Sequence, residues 1–447
     1  MSKNAGVICL WAGVLAMVCP LASADILLEK VDELSRQLEH QQEMIDVQKA
    51  EISALKANVQ DVSEMADLAN RIKWNGFISA GVAKVDASEE VQWGNSGPDN
   101  ELDWNSDTII AIQARFIITD SLQVVSQMMS RGGFESEFDA DWFYLQYQVN
   151  ENVDVMLGRV RPQFFMLSDY VEVGFAYPWI RPPAEVYDPI PTDWAQGVSL
   201  NMNWEGAGNT YHNAALQLLQ SEDQGTVSRF DVSVIGVMYE FNYGPFTLAL
   251  RGGSMRADTY LENETFRSVN RVLESFDEDI AIIPNEDTEI TYRNVGIRYE
   301  TEKWLILSEW ATFDIQGLFV DTESYYLTLG RRFGKWMPHL TFAHHESTDD
   351  DIREDARIID ALGAATGGTI QEVAQGLWNQ QNDSYTLGIN YSFNSNTVIK
   401  LEAKRITNRD GTIAQFEKSK TTDEIDTVVI PEQDNIMIYG FVVDMVF

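Results

Sequence analysis

The sequence predicts an all-β membrane protein: a 16-stranded antiparallel transmembrane β-barrel with an N-terminal α-helical coiled coil. Three observations carry that prediction. From Trp74 to Phe447 apolar residues recur with period two, the spacing at which strand side chains share a face. Short turns alternate there with long polar segments, as they do when strands cross a bilayer between a turn side and a loop side. No stretch after residue 24 holds 18 consecutive apolar residues, so any crossing must be made by a closed barrel.

Met1 to Ala24 reads as a secretory signal peptide. Lys3 is its charge, an apolar run follows from Ala5 to Val18, and Ala22-Ser23-Ala24 supplies the small-residue cleavage site. A retained anchor and a lipoprotein through Cys19 are the alternatives, the second poor because Met17 and Val18 make no lipidation box. Both cysteines, Cys9 and Cys19, fall in this segment, so the mature chain is expected to hold no disulfide and no thiolate. The chain has 32 basic and 69 acidic residues, and loss of Lys3 gives 31 − 69 = −38. Such a field repels nucleic acid, which is excluded as a partner.

Residues 25–72 carry a heptad pattern. One seam position holds Val31, Leu38, Ile45, Ile52, Val59 and Ala66, and the other Leu27, Leu34, Gln41, Gln48, Leu55, Val62 and Ala69. The pattern predicts a self-associating coiled coil roughly 70 Å long. A single helix packed on the next domain is the alternative. Gln41 and Gln48 cost stability at the seam but set register and strand number.

Residues 73–447 are read as the barrel. The strands are expected at Trp74–Asp86, Asp107–Thr119, Leu122–Gly132, Asp141–Val149, Val153–Val160, Trp194–Glu205, Tyr211–Gln220 and Arg229–Tyr239. The second half comprises Phe246–Asp258, Thr288–Thr301, Trp304–Phe313, Tyr325–Phe333, Met337–His345, Ser384–Phe393, Thr397–Arg405 and Asn435–Phe447. Tyr385, Leu387, Ile389 and Tyr391 form one apolar face, as do Tyr325, Leu327 and Leu329, and these are expected to meet lipid. A soluble β-sandwich would not explain long connections confined to one side. The final strand alternates Tyr439, Phe441, Val443, Met445 and Phe447 on one face. Ending on Phe, it resembles the C-terminal strand by which Gram-negative outer-membrane barrels are recognised and inserted, and it should close the sheet against the first strand.

The segment 161–193 stands apart from the other long connections. It holds six of the chain's twelve prolines and is rich in Phe, Tyr and Trp, so it has apolar surface to bury and a stiff backbone. Sixteen strands, a long loop after strand five and a terminal Phe together resemble the trimeric porins of Gram-negative outer membranes. The coiled coil resembles the subset with a periplasmic helical extension. The resemblance implies a homotrimer in the outer membrane, with lipid and lipopolysaccharide around it and the coiled coil in the periplasm. It also implies a loop folded into the barrel as a constriction; passive diffusion through such a channel is expected to need no cofactor and no metal. This loop lacks the acidic PEFGG-type run of the general porins.

A barrel of this size leaves an aqueous channel, and charges at its narrowest part govern which small hydrophilic solutes pass. Loop candidates are Arg161, Asp169, Glu172, Arg181, Glu185 and Asp188. Wall candidates, by parity opposite the apolar face, are Arg115, Arg131, Arg251, Arg298, Arg332, Lys400 and Lys404; Arg159 is ambiguous because it shares parity with Leu157. The basic wall points to a preference for anions, small carboxylates among them. Two rival functions compete. A hydrolase needs a Ser–His pair with a third group, and among His40, His212, His339, His344 and His345 only the last two cluster, on opposite strand faces. A structural or adhesive barrel with a coiled-coil stalk and no open pore is the other rival.

Overall fold

The computed structural model describes residues 21–87, 91–93, 97–133, 138–188, 194–224, 228–261, 264–282, 288–318, 320–348, 354–378, 380–408, 416–418 and 436–447. The chain divides into two compact units, Met1–Arg71 and Ile72–Phe447. In the first, helix α1 spans Leu21–Arg71. It has neither Gly nor Pro, so nothing interrupts its hydrogen-bond ladder. Its seam residues Val31, Leu34, Leu38, Ile45, Ile52 and Leu55 are all exposed. Most of the expected signal peptide, residues 1–20, lies outside the described residues, and α1 already includes Ala22–Ala24.

The second unit is a closed antiparallel barrel of sixteen strands. The strands are β1 (Ile72–Asp86), β2 (Ile109–Thr119), β3 (Leu122–Arg131), β4 (Phe138–Asn150), β5 (Val153–Val160), β6 (Ala195–Glu205), β7 (Thr210–Gln224) and β8 (Ser228–Tyr243). They continue with β9 (Phe246–Leu261), β10 (Thr288–Glu300), β11 (Trp304–Ile315), β12 (Thr322–Arg331), β13 (Trp336–Ser347), β14 (Gln381–Ser392), β15 (Thr397–Asn408) and β16 (Ile436–Val446). Every expected strand is present, displaced by a few residues at its ends. Closure is made by β1 and β16, whose register runs from Phe77↔Val446 to Asp86↔Met437. Phe447 extends that ladder, donating to Gly76 O at 3.0 Å and accepting from Gly76 N at 2.9 Å.

Burial follows the alternation. On β16, Tyr439, Phe441, Met445 and Phe447 are exposed on the outer face, while Ile436, Ile438, Val442 and Asp444 are buried inside. Leu327 and Leu329 on β12 and Tyr385 and Leu387 on β14 likewise face outward. This outer apolar surface stays in contact with the surroundings, the arrangement a barrel needs in lipid.

The loop side holds more structure than its polar composition foretold. Helix α2 (Glu264–Phe276) lies between β9 and β10, and helices α3 (Ala356–Leu362) and α4 (Ala364–Trp378) lie between β13 and β14. Leu273, Ile280, Ile282, Leu318 and Ile358 form a small apolar core there, packed by Val269 and Ile370. Asp355 caps α3 by accepting from Arg357 N at 2.8 Å, and the Arg357 guanidinium also bonds Asp277. The acidic stretch Ser347–Asp355 lies largely outside the described residues.

Candidate functional site

After β5 the chain turns into the lumen instead of outward. The reason is apolar: Phe164, Phe165, Met166, Leu167 and Trp179 are all nearly fully buried and join one cluster with Tyr292, Leu305, Leu307, Phe313 and Tyr326 of the wall. Phe164 meets Tyr292 edge-on with centroids 4.9 Å apart, and Trp179 meets Tyr326 at 5.3 Å. Polar groups fix the register of the loop. Met166 N donates to Glu309 Oε1 at 2.7 Å, and Trp179 Nε1 donates to Thr341 Oγ1 at 2.7 Å. A side chain at Gly296 would stand 3.0 Å from Met166 Sδ, so the loop seats closely because the wall has none there.

The charged candidates separate by what they touch. Arg131 donates to Asp141 Oδ1 at 2.9 Å and to Glu172 Oε1 at 3.1 Å, and Arg161 lies 3.5 Å from both carboxylates. The β3–β4 register shifts after Gln127, which pairs with Trp142 while Met128 pairs with Ala140. The extra residue is Asp141, and the bulge aims it inward beside Trp142. Burial opposes ionisation of Glu172, but Arg131 and Arg161 outweigh it and hold the carboxyl below its usual range. Glu185, fully buried, is likewise held low against burial by Lys404, whose Nζ is 3.0 Å away. Arg181 donates to Asp107 Oδ2 at 2.6 Å.

Three expectations about the wall are corrected. Lys400 does not line the pore: it is 1% exposed, pairs with Asp444 at 2.9 Å and donates to the loop carbonyls of Gly174 and Trp179, both at 2.6 Å. It tethers the loop from behind. Arg332 lies one residue beyond β12, in the turn to β13, where it bonds Glu300 Oε1 at 2.6 Å and Thr301 O at 2.7 Å. And the wall bases do not form an open basic set. Arg251 is buried against Glu240 at 2.6 Å, and Arg298 reaches Tyr170 Oη at 3.2 Å and Glu300 at 3.9 Å. Arg115 is the exception: it is exposed, with its parity inward beside Gln113. Arg159 faces outward, its guanidinium 3.7 Å from the Trp194 ring centroid.

Among the described residues of the loop, Asp169 and Asp188 are the exposed carboxylates. Asp169 accepts from Gln163 Nε2 at 3.1 Å. Desolvation inside the barrel raises its carboxyl above the usual range. Asp188 is pushed up to about 7, by the same desolvation, with Glu185 adding to it and Lys404 and Arg181 opposing. Its side chain is exposed. Sequence reasoning missed the acidic partners Asp107, Asp141, Glu240, Glu300 and Glu309. Inward parity marked Glu240, Glu300 and Glu309 as readily as it marked the arginines.

The side of the lumen along β3–β6 is polar. Gln123 donates to Gln146 at 2.8 Å, and Gln146 and Asn201 each donate to Asp154 at 3.1 Å, beside a recess of about 260 Å³. His344 and His345 do face opposite ways. His345 bonds Ser324 at 2.7 Å and Gln380 at 2.8 Å, while His344 bonds Asp383 at 2.6 Å on the outer face. Ser324 and His345 are 2% and 1% exposed, and the group on the far side of the ring is the Gln380 amide.

No protein-family model matches the chain, and no curated protein matches it. Solved structures do. A loop-deletion mutant of OmpT, an outer membrane protein of Vibrio cholerae, superposes with a TM-score of 0.51 at 11% identity, over 84% of this chain and 99% of that one. An anion-selective porin from Comamonas acidovorans gives 0.50 at 14%, over 84% and 99%. OprB of Pseudomonas putida gives 0.50 at 9%, over 86% and 96%. At these identities the likeness establishes the fold, a closed 16-stranded barrel of the kind found in outer-membrane proteins.

Proposed function

We propose that the protein is an outer-membrane porin: a homotrimeric, water-filled channel for passive diffusion of small hydrophilic solutes, with a modest preference for anions, small carboxylates among them. The observation that carries this reading is the long loop lodged inside the closed barrel and bonded to its inner wall at Glu309 and Thr341, with Asp169 exposed on the loop and Arg115 exposed on the wall. Opposed charges across a narrow passage orient dipolar solutes and select by sign. The passage runs along the polar side near Gln146 and Asp154, because the opposite side is filled by the aromatic core of the loop. The anion-selective Comamonas porin shares the fold and supports the sign. Residues 1–24 are removed on export, residues 25–72 form the coiled coil in the periplasm, and 73–447 form the channel. The exposed seam of α1 supports self-association, since six apolar side chains stand unpaired within one chain. No step of this function calls for catalysis or a cofactor.

One observation favours a second reading, a structural barrel without an open pore. The loop is tied by contact ion pairs at Arg131–Glu172 and Lys404–Glu185, and its core reaches from Val125 to Phe313. Single-channel recording separates the two: discrete conductance steps from folded protein support the channel, and a folded protein without steps supports the structural role.

A further inference from the structure

Below the loop, toward the short turns, a recess of about 160 Å³ opens between Phe175–Pro178 and the inner wall of β10–β15. Its lining divides by chemistry. Leu305, Leu307 and Met337 give an apolar floor, Phe175 lies on the loop side, and Arg298 and Arg332 stand at the rim beside Glu300. At about 160 Å³ the recess has the volume of one six-membered ring, and its lining mixes apolar with polar groups. Two guanidiniums share the single carboxylate of Glu300, Arg332 at 2.6 Å and Arg298 at 3.9 Å. Arg298 Nε has no hydrogen-bond partner among the described residues. With Lys335 also on its lining, the site has two positive charges more than its one carboxylate answers, beside the apolar surface of Leu305, Leu307 and Met337.

Resting on the channel reading above, we propose that this recess is a binding site for aromatic monocarboxylates, with the ring against Leu305, Leu307 and Phe175 and the carboxylate against Arg298 and Arg332. The chemistry explains both halves of the lining. A bare anion would gain nothing from the apolar floor, and a neutral ring would leave the guanidinium unanswered. Charge-assisted hydrogen bonds to guanidinium are among the stronger polar contacts, and apolar burial adds to them. The site makes the channel retain such solutes on the turn side, so that they slow the current carried by smaller ions.

The test is titration of the full-length, detergent-folded protein with benzoate, acetate and benzyl alcohol, followed by calorimetry. Benzoate is expected to bind at least tenfold more tightly than either acetate or benzyl alcohol. Arg298→Gln should weaken benzoate about tenfold, the scale of one lost hydrogen bond to a charged group. Ala176→Trp, which fills the recess from its exposed side, should abolish binding while both arginines remain. Equal affinity for acetate and benzoate, or benzoate binding unchanged in both variants, overturns the proposal. Binding is read without current, so a protein that binds benzoate but never conducts leaves the recess standing and removes the channel.

Discussion

At the scale of single residues, the sign of the field in the lumen turns on groups that ion pairing leaves exposed. Arg115 is one, and Arg115→Gln should move the reversal potential under a salt gradient toward cations without loss of folded protein. Arg131→Gln should behave differently. It strips a partner from Asp141, 3% exposed, and from Glu172, so its cost is folding yield; breaking a buried pair costs about 3–5 kcal/mol. Asp188 adds a pH dependence. Its raised pKa, about 7, means the carboxylate gains its proton as pH falls from 8 to 6. The loop then loses a negative charge, so anion preference should rise over that interval, and Asp188→Asn should remove most of the rise. Which charges would be exposed was not legible in the sequence. Inward parity was correct for Arg115, Arg131, Arg251 and Arg298, but their partners lie on neighbouring strands or on the loop, and parity says nothing of distance.

At the scale of elements, the strands were legible because each has one face in contact with the outside and one with the lumen, so burial imposes strict alternation on sequence. The bulge at Asp141 was not, since it changes register against a partner strand without disturbing composition. Helix α2 was missed although Phe266, Val269, Leu273 and Phe276 recur at helical spacing, because the surrounding acids and arginines read as a solvated loop. In α4 the pair Gly367-Gly368 argues locally against a helix. The inserted loop announced its apolar content, and its tether at Lys400 shared inward parity with Asp444. Lys400→Met alone should cost about 3–5 kcal/mol by leaving Asp444 and two carbonyls unanswered, whereas Lys400→Met with Asp444→Leu should recover much of that. The temperature at which the compact barrel loses its fast mobility in detergent gels reads both.

At the scale of the whole molecule, a closed sheet, an inserted loop and a helix with an exposed seam combine into one account. The barrel has no free edge, the loop packs on its inner wall, and six apolar seam residues of the helix stand exposed. Replacing Gln41 and Gln48 by Leu should strengthen self-association and blur strand number, seen as a mixture of oligomers after cross-linking of the intact protein. The central claim is that the barrel conducts. Conductance in a planar bilayer, with reversal potential measured under a salt gradient at pH 8 and pH 6, tests it most directly. The account predicts steps in groups of three and an anion-favouring reversal that grows as pH falls. Folded protein that inserts without steps contradicts it.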